Sequence, residues 1–226
     1  MARPDPSYRP IRRLRILAPA LLLGVGGSLI AQEEGQLGTV RVMNGTGGLI
    51  RALYVSGTNS RHWGPELLRG EVIRPGTGRE LQLHARTECS GYDVLAELDD
   101  GSRALARDLP ACLSPVRVWS LDRSSLAVAG PATPEVELRL TSVAAEVIDY
   151  LFVTPSDSIV WGPDVLGPAR RLWPGGTLSL RIPGEEAFVA YDVLWFTSGG
   201  SVGRRRIQLG GQSIPLQQED IGDTGP

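Results

Sequence analysis

Two histidines, two cysteines and two Trp-Gly-Pro-acidic segments are the residues of this chain whose types and spacing could do chemistry. His62 and His84 are the candidate general bases, and a nucleophilic triad would need one of them beside a serine and a buried acid. No HExxH helix is present, and no serine is marked beside a histidine and an acid, so no catalytic residue is marked. Every basic residue is arginine, which excludes a Walker-type phosphate loop and lysine Schiff-base chemistry. Asp99-Asp100 could suggest calcium, but two carboxylates are too few for a protein cage. No metal and no cofactor is expected.

The segment "WGPELL" at 63–68 returns as "WGPDVL" at 161–166. Two readings stand side by side. In one, each tryptophan is a plug closing a small β core, with the proline fixing its turn. In the other, Trp63 with Glu66 and Trp161 with Asp164 form candidate binding sites. The indole would stack on a sugar ring while the acid accepts hydroxyl hydrogens. The histidines themselves read as surface or edge residues, since Val160 and Pro183 replace them in the second copy.

The repetition extends beyond these loops. At an offset of 98, Val42 falls on Leu140, Leu53-Tyr54-Val55 on Leu151-Phe152-Val153, and Trp63-Gly64-Pro65 on Trp161-Gly162-Pro163. At an offset of 99, Pro75-Gly76 meets Pro174-Gly175, and "YDVL" at 92 meets "YDVL" at 191. This ordered self-similarity reads as a tandem duplication of a unit of roughly 80 residues. Within it apolar residues alternate: Val40 and Val42; Leu81 and Leu83; Val94, Ala96 and Leu98; Leu178, Leu180 and Ile182. Period two predicts strands with one buried face, separated by the turns "NGTGG", "RPGTG" and "DDGS". The fold expected is all-β: two tandem small antiparallel β-sandwich-like domains, each of about six or seven strands. Their bounds are 37–121 and 136–216, joined by a linker at 122–135 and followed by an acidic tail at 217–226 expected to be disordered. Merger of the copies into one larger sandwich or barrel is the alternative.

Asp100-Gly101 is the strongest hairpin signal, and a two-residue turn there pairs residues whose numbers sum to 201. Cys89 and Cys112 then lie opposite one another, so a disulfide is expected, with a metal site or two free thiols as the alternatives. In the second copy the same rule, summing to 399, sets Phe188 opposite Gly211, and both cysteines are absent together.

"RPIRRLR" followed by the apolar run at 16–31 has the form of a cleaved signal peptide, shorter than the roughly 20 residues a spanning helix needs, with an uncleaved anchor as the alternative. Without residues 1–31 the chain carries 18 basic and 24 acidic residues, a net charge of −6 from five of 23 and one of 25 removed. That acidity argues against nucleic acid as a partner. Periplasmic or extracellular residence follows, with no stable transmembrane segment after cleavage. "GRRRIQL" at 203–209 reads as a solvated basic strand, with docking of an acidic partner as the alternative.

Trp63–Leu68, Pro75-Gly76, Cys89, Tyr92–Val94, Asp100-Gly101 and Cys112, with Trp161–Leu166, Pro174-Gly175 and Tyr191–Val193 in the second copy, carry a further signal. The pattern resembles an uncharacterised family of small exported bacterial β domains with Trp-Gly-Pro-Asp/Glu and Tyr-Asp-Val motifs. The resemblance implies export and a β fold and carries no activity. The expectation is a non-enzymatic envelope protein that binds a protein partner or a glycan. A carbohydrate-binding module using the Trp-Gly-Pro loops, or a hydrolase with an unmarked site, is the alternative.

Overall fold

Alternating apolar residues place one face of most strands against a common interior in the computed structural model, which describes residues 36–85, 89–112, 116–127, 134–183, 189–209 and 214–217. The first half of the chain contributes β1 (Gln36–Gly45), β2 (Ile50–Gly57), β3 (Gly78–Ala85), β4 (Ser90–Leu98), β5 (Arg103–Ala111), β6 (Arg117–Asp122) and the short β7 (Leu126–Ala127). The second contributes β8 (Glu135–Ser142), β9 (Ile148–Pro155), β10 (Thr177–Pro183), β11 (Ala190–Thr197), β12 (Val202–Gln208) and β13 (Ile214–Leu216). The sheet orders are β3-β1-β6 and β2-β4-β5-β7 in the first half, and β10-β8-β13 and β12-β11-β9 in the second. The fold is therefore all-β, with two sandwich-like halves of matching strand order. Each half also contains one parallel pair, β1 with β6 and β8 with β13. "VAAEVIDYLF" at 143–152 is a turn leading into β9, not a helix.

The halves share one interior. Val42, Leu53, Val94 and Trp119 belong to the same buried cluster as Leu140, Leu151, Val193 and Trp195. The described residues fall within one compact unit, Glu34–Pro226. The segment expected as a linker opens with a 3-10 turn, Arg123–Ser125, capped by the Asp122 carboxylate, and then pairs β7 with β5. Residues 128–133, the expected signal peptide and all of the acidic tail beyond Gln217 lie outside the described residues.

The cysteines are joined, with Cα atoms 4.3 Å apart. The expected turn is nevertheless one residue too short. Leu98 and Ser102 flank a three-residue connection, with Gly101 at φ 80°. This is the familiar alternative to a two-residue hairpin, a type I turn closed by a left-handed glycine. Near the turn the pairs sum to 200, as in Glu97↔Arg103, and past Tyr92 they sum to 201, as in Ser90↔Ala111. The missing residue is restored by a bulge at Arg107-Asp108, where Asp108 adopts φ 51°. Asp93 pins that bulge by accepting from Asp108 N at 2.9 Å and Arg107 Nη1 at 3.0 Å. The second hairpin has the same three-residue turn and no bulge between β11 and β12, so its pairs sum to 398, not 399. Phe188 and Gly211 lie outside the described residues.

The repeated motifs hold the halves to each other. In the Trp-Gly-Pro loop of the first half, Glu66 N donates to Arg181 O on β10 at 2.8 Å. In that of the second, Asp164 N donates to Gln82 O on β3 at 2.7 Å, and Pro163 bridges to Leu83. β3 and β10 are edge strands, so each half's loop covers part of the other's open edge. The Tyr-Asp motif completes the exchange: Tyr92 Oη donates to Trp161 O at 3.0 Å, and Tyr191 Oη to Trp63 O at 3.1 Å. Burial pushes both phenols above their ordinary range. Gly64 and Gly162 pack where β2 and β9 approach; a Cβ on Gly64 would lie 2.6 Å from Val55 O, and one on Gly162 3.2 Å from Val153 O.

Tyr92→Phe and Tyr191→Phe should each lower unfolding free energy by about 1 kcal/mol, measured by urea denaturation, because each removes one bond and leaves a buried carbonyl short of a donor. A cost at only one of the two positions would show that the exchange is not reciprocal in energy. Cys89→Ser with Cys112→Ser should cost about 3 kcal/mol by the same measurement, with a matching loss when the parent is reduced.

Candidate functional site

Glu66 and Asp164 do not face solvent. Glu66 is 1% exposed, and its carboxylate accepts from the backbone N–H groups of Leu53, Leu68 and Arg69 and from Arg181 Nη2 at 2.8 Å. Asp164, 5% exposed, accepts from the backbone of Leu151, Leu166 and Gly167. Burial raises the Asp164 carboxyl above its ordinary range, against the opposing pull of those three donors. Both acids thus satisfy orphan amides of a tight loop, and neither is turned toward a ligand beside its tryptophan.

The two tryptophans differ. Trp161 is buried against Phe152 and Leu194, and the Arg204 guanidinium sits over its ring at 5.2 Å. Trp63 is only partly buried, packed on Ala52, Tyr54 and Leu95. Leu105, on β5, stands where β12 has Arg204, so the cationic cover is lost. Beside Trp63 opens a cleft of ≈260 Å³ lined by Ser56, Ser60, Arg61, His62, Asp93 and Arg107. That volume approaches the lower end of the usual range for small-ligand sites. Its floor is set by the Asp93 bulge, which holds the largely exposed Arg107 at the rim. In the second half, Asp192 holds Arg206 in a two-point pair, Nε at 2.7 Å and Nη2 at 3.1 Å.

His62 lies beside two serines and an acid, the arrangement that would favour an enzyme. Its Nδ1 is 3.4 Å from Asp157 Oδ2. The serines, however, are aimed elsewhere. Ser56 Oγ and Ser60 Oγ each donate to the His62 carbonyl at 2.8 Å, and Ser60 Oγ also reaches Asp157 Oδ1 at 2.7 Å. Thr154 and Ser158 brace the Val160 carbonyl in the same way, where no histidine exists. The hydroxyls hold a loop, and the imidazole is incidental to that work. His84 is buried against the rings of Phe152 and Phe196, at 5.6 and 5.5 Å, which joins β3 to the outer face of the second half.

Asp157 is a second junction between the halves. Besides Ser60 it accepts from Arg61 N at 2.9 Å, while Asn59 Nδ2 donates to its carbonyl. Burial works to raise its carboxyl, but these bonds and the nearby His62 outweigh it and hold the group below the ordinary range. Among the described residues no group of three or more His, Cys, Asp or Glu could hold a metal ion, and no helix is long and apolar enough to cross a membrane. No protein-family model and no curated protein sequence matches this chain.

The sequence singled out Trp63, Glu66, Trp161 and Asp164 as one kind of site. Of these only Trp63 lines the cleft; Asp93 and Arg107, whose pairing depends on the bulge, line it too. The Tyr-Asp motif contained Asp93, but nothing in spacing alone could show that β5 would gain a residue opposite it.

A depressed folded-state pKa means that Asp157 contributes stability above the ordinary carboxylate range and loses it as pH falls through the folded value. Asp157→Asn lacks that contribution, so its stability should fall less steeply on acidification than the parent's, read from urea midpoints across the acid range. Parallel curves would remove Asp157 from the acid response.

Proposed function

We propose that this chain is an exported, non-enzymatic binding protein of the bacterial envelope, built by internal duplication, whose ligand site is the Trp63 cleft. The observation that carries the reading is the difference between the two tryptophans: Trp161 is covered by Arg204, whereas Trp63 borders an open cleft. A partly exposed indole flanked by fixed polar groups suits a polyhydroxylated ring, which stacks on the aromatic face while Arg61, Arg107 and His62 offer donors to its hydroxyls. The ligand class is accordingly a glycan of the envelope or its surroundings. Export is supported by the basic and apolar N-terminal run and by a disulfide of the kind that persists in oxidising compartments. The two joined half-chains act as a rigid support: the cleft is bordered by β2, β4 and β5, and its loop is tied to the second half through Asp157.

A hydrolase is favoured by one observation, the His62–Asp157 approach at 3.4 Å. The serine hydroxyls donating to the His62 carbonyl weigh against it, and His62→Ala distinguishes the readings: a glycan site should lose no more than one hydrogen bond's worth of affinity, about tenfold, whereas a hydrolase should lose all ester hydrolysis. Fluorine NMR of the full chain with fluorotryptophan tests the main proposal, with Trp63 and Trp161 assigned by single Phe substitutions and a panel of neutral and acidic oligosaccharides added. The Trp63 resonance should shift saturably while Trp161 stays still, and Trp63→Ala should weaken binding by about tenfold or more, as truncation of an aromatic anchor at ~2 kcal/mol implies. A Trp63 signal indifferent to every oligosaccharide would sink the glycan assignment.

A further inference from the structure

A second concavity lies away from the Trp63 cleft, between the Leu67–Glu71 segment, the β3 edge and the loop from Asp164 to Arg170. Arg69 is set into it by a left-handed backbone, φ 51°, at the end of the Trp-Gly-Pro loop. Its Nη1 and Nη2 are both buried without a hydrogen-bond partner. Two unpaired donors on a buried cation are costly to leave dry, more so than neutral ones. Burial and then the charge of Arg170 lower the guanidinium below the usual arginine range.

The acids lining the crevice do not satisfy these donors. Asp164 is occupied by three backbone N–H groups, and Glu71 pairs with Arg79. Glu80 is exposed. Arg170 is exposed as well and forms no ion pair among the described residues, so a second cation stands free at the mouth. The cavity is ≈30 Å³, enough for two water-sized centres at the ~10–15 Å³ that each requires. The two oxygens of a planar carboxylate match both that space and the fork of a guanidinium.

We propose that this crevice is a carboxylate-binding site in which a small ligand's two oxygens accept from Arg69 Nη1 and Nη2, with Arg170 supplying a second positive charge at the entrance. The site is independent of the glycan reading, because it shares no residue with the Trp63 cleft.

Thermal unfolding of the full chain in sodium acetate, against sodium chloride and sodium phosphate at equal ionic strength, tests it. Acetate should raise the melting temperature saturably, as a ligand of the native state does. Arg170→Ala should shift half-saturation several-fold upward. Arg69→Met should abolish the acetate response while melting in chloride at or above the parent, since it removes an unpaired buried charge. An equal acetate effect in the parent and Arg69→Met is a general salt effect and overturns the proposal, as does saturation by phosphate without acetate. Arg170→Ala, a change at the exposed mouth, decides the question if Arg69→Met does not fold: an unchanged half-saturation then counts against the site.

Discussion

Open sheet edges are the constraint on which this fold depends. A sandwich of three- and four-stranded sheets exposes unpaired N–H and C=O groups along the edge strands β3 and β10, and such edges invite pairing with other chains. Here each edge receives a backbone hydrogen bond from the Trp-Gly-Pro loop of the opposite half, Glu66 N to Arg181 O and Asp164 N to Gln82 O. The loop can turn back that way only because a buried carboxylate gathers its amides and because Gly64 and Gly162 let backbone meet backbone. The acid beside the tryptophan, the glycine after it and the tyrosine of the later motif therefore serve one arrangement, in which each half completes the other.

The strand content was legible from period-two alternation because one face of most strands enters a common interior, as Val40, Val42, Leu81 and Leu83 do. β2 and β4 were harder to orient, since Tyr54 and Leu95 on their outer faces are buried under the Trp63 loop. The disulfide was legible for a reason only partly contained in the turn. The connection is one residue longer than an Asp-Gly hairpin implies, and the bulge opposite Asp93 adds the residue back, so the pairing at the cysteines comes out as expected. That a turn sits at Asp100-Gly101 is local and readable, whereas its length is not. A bulge depends on what its partner strand needs, here the Asp93 carboxylate and its contacts with Asp108 N and Arg107.

The candidate acids illustrate the same boundary. Glu66 and Asp164 occupy equivalent places beside equivalent tryptophans, and a carboxylate next to an indole is chemically suited to sugars. Only the three-dimensional arrangement reveals that their oxygens are consumed by amides two or three residues onward and by a strand partner thirteen residues back. Acidic residues three positions after a tryptophan carry no mark distinguishing a loop organiser from a ligand acceptor. Asp93 and Arg107 were equally invisible as a cleft pair, because their meeting depends on the irregular register of β5.

Repetition also explains how one half can depart from the other without loss of the fold. The contacts that the two halves make reciprocally run through backbone atoms and through the glycine, acid and tyrosine of each motif, which both halves retain. Positions outside that set vary: Leu105 against Arg204, Ala52 against Tyr150, Arg69 against Gly167. Arg204 with Tyr150 and Phe196 encloses the second tryptophan in an aromatic layer, while Ala52 and Leu105 leave the first partly uncovered. At the other place, arginine adopts the left-handed conformation that glycine takes in the second half, φ 51° against 71°, a geometry that favours glycine sterically. A strained backbone and a buried, unpaired guanidinium are two costs at one residue, and neither is required by the loop, since Gly167 closes the equivalent turn without them. Strain retained where a simpler residue would serve points to a purpose in the side chain, which is the physical ground for separating Arg69 from the framework that surrounds it.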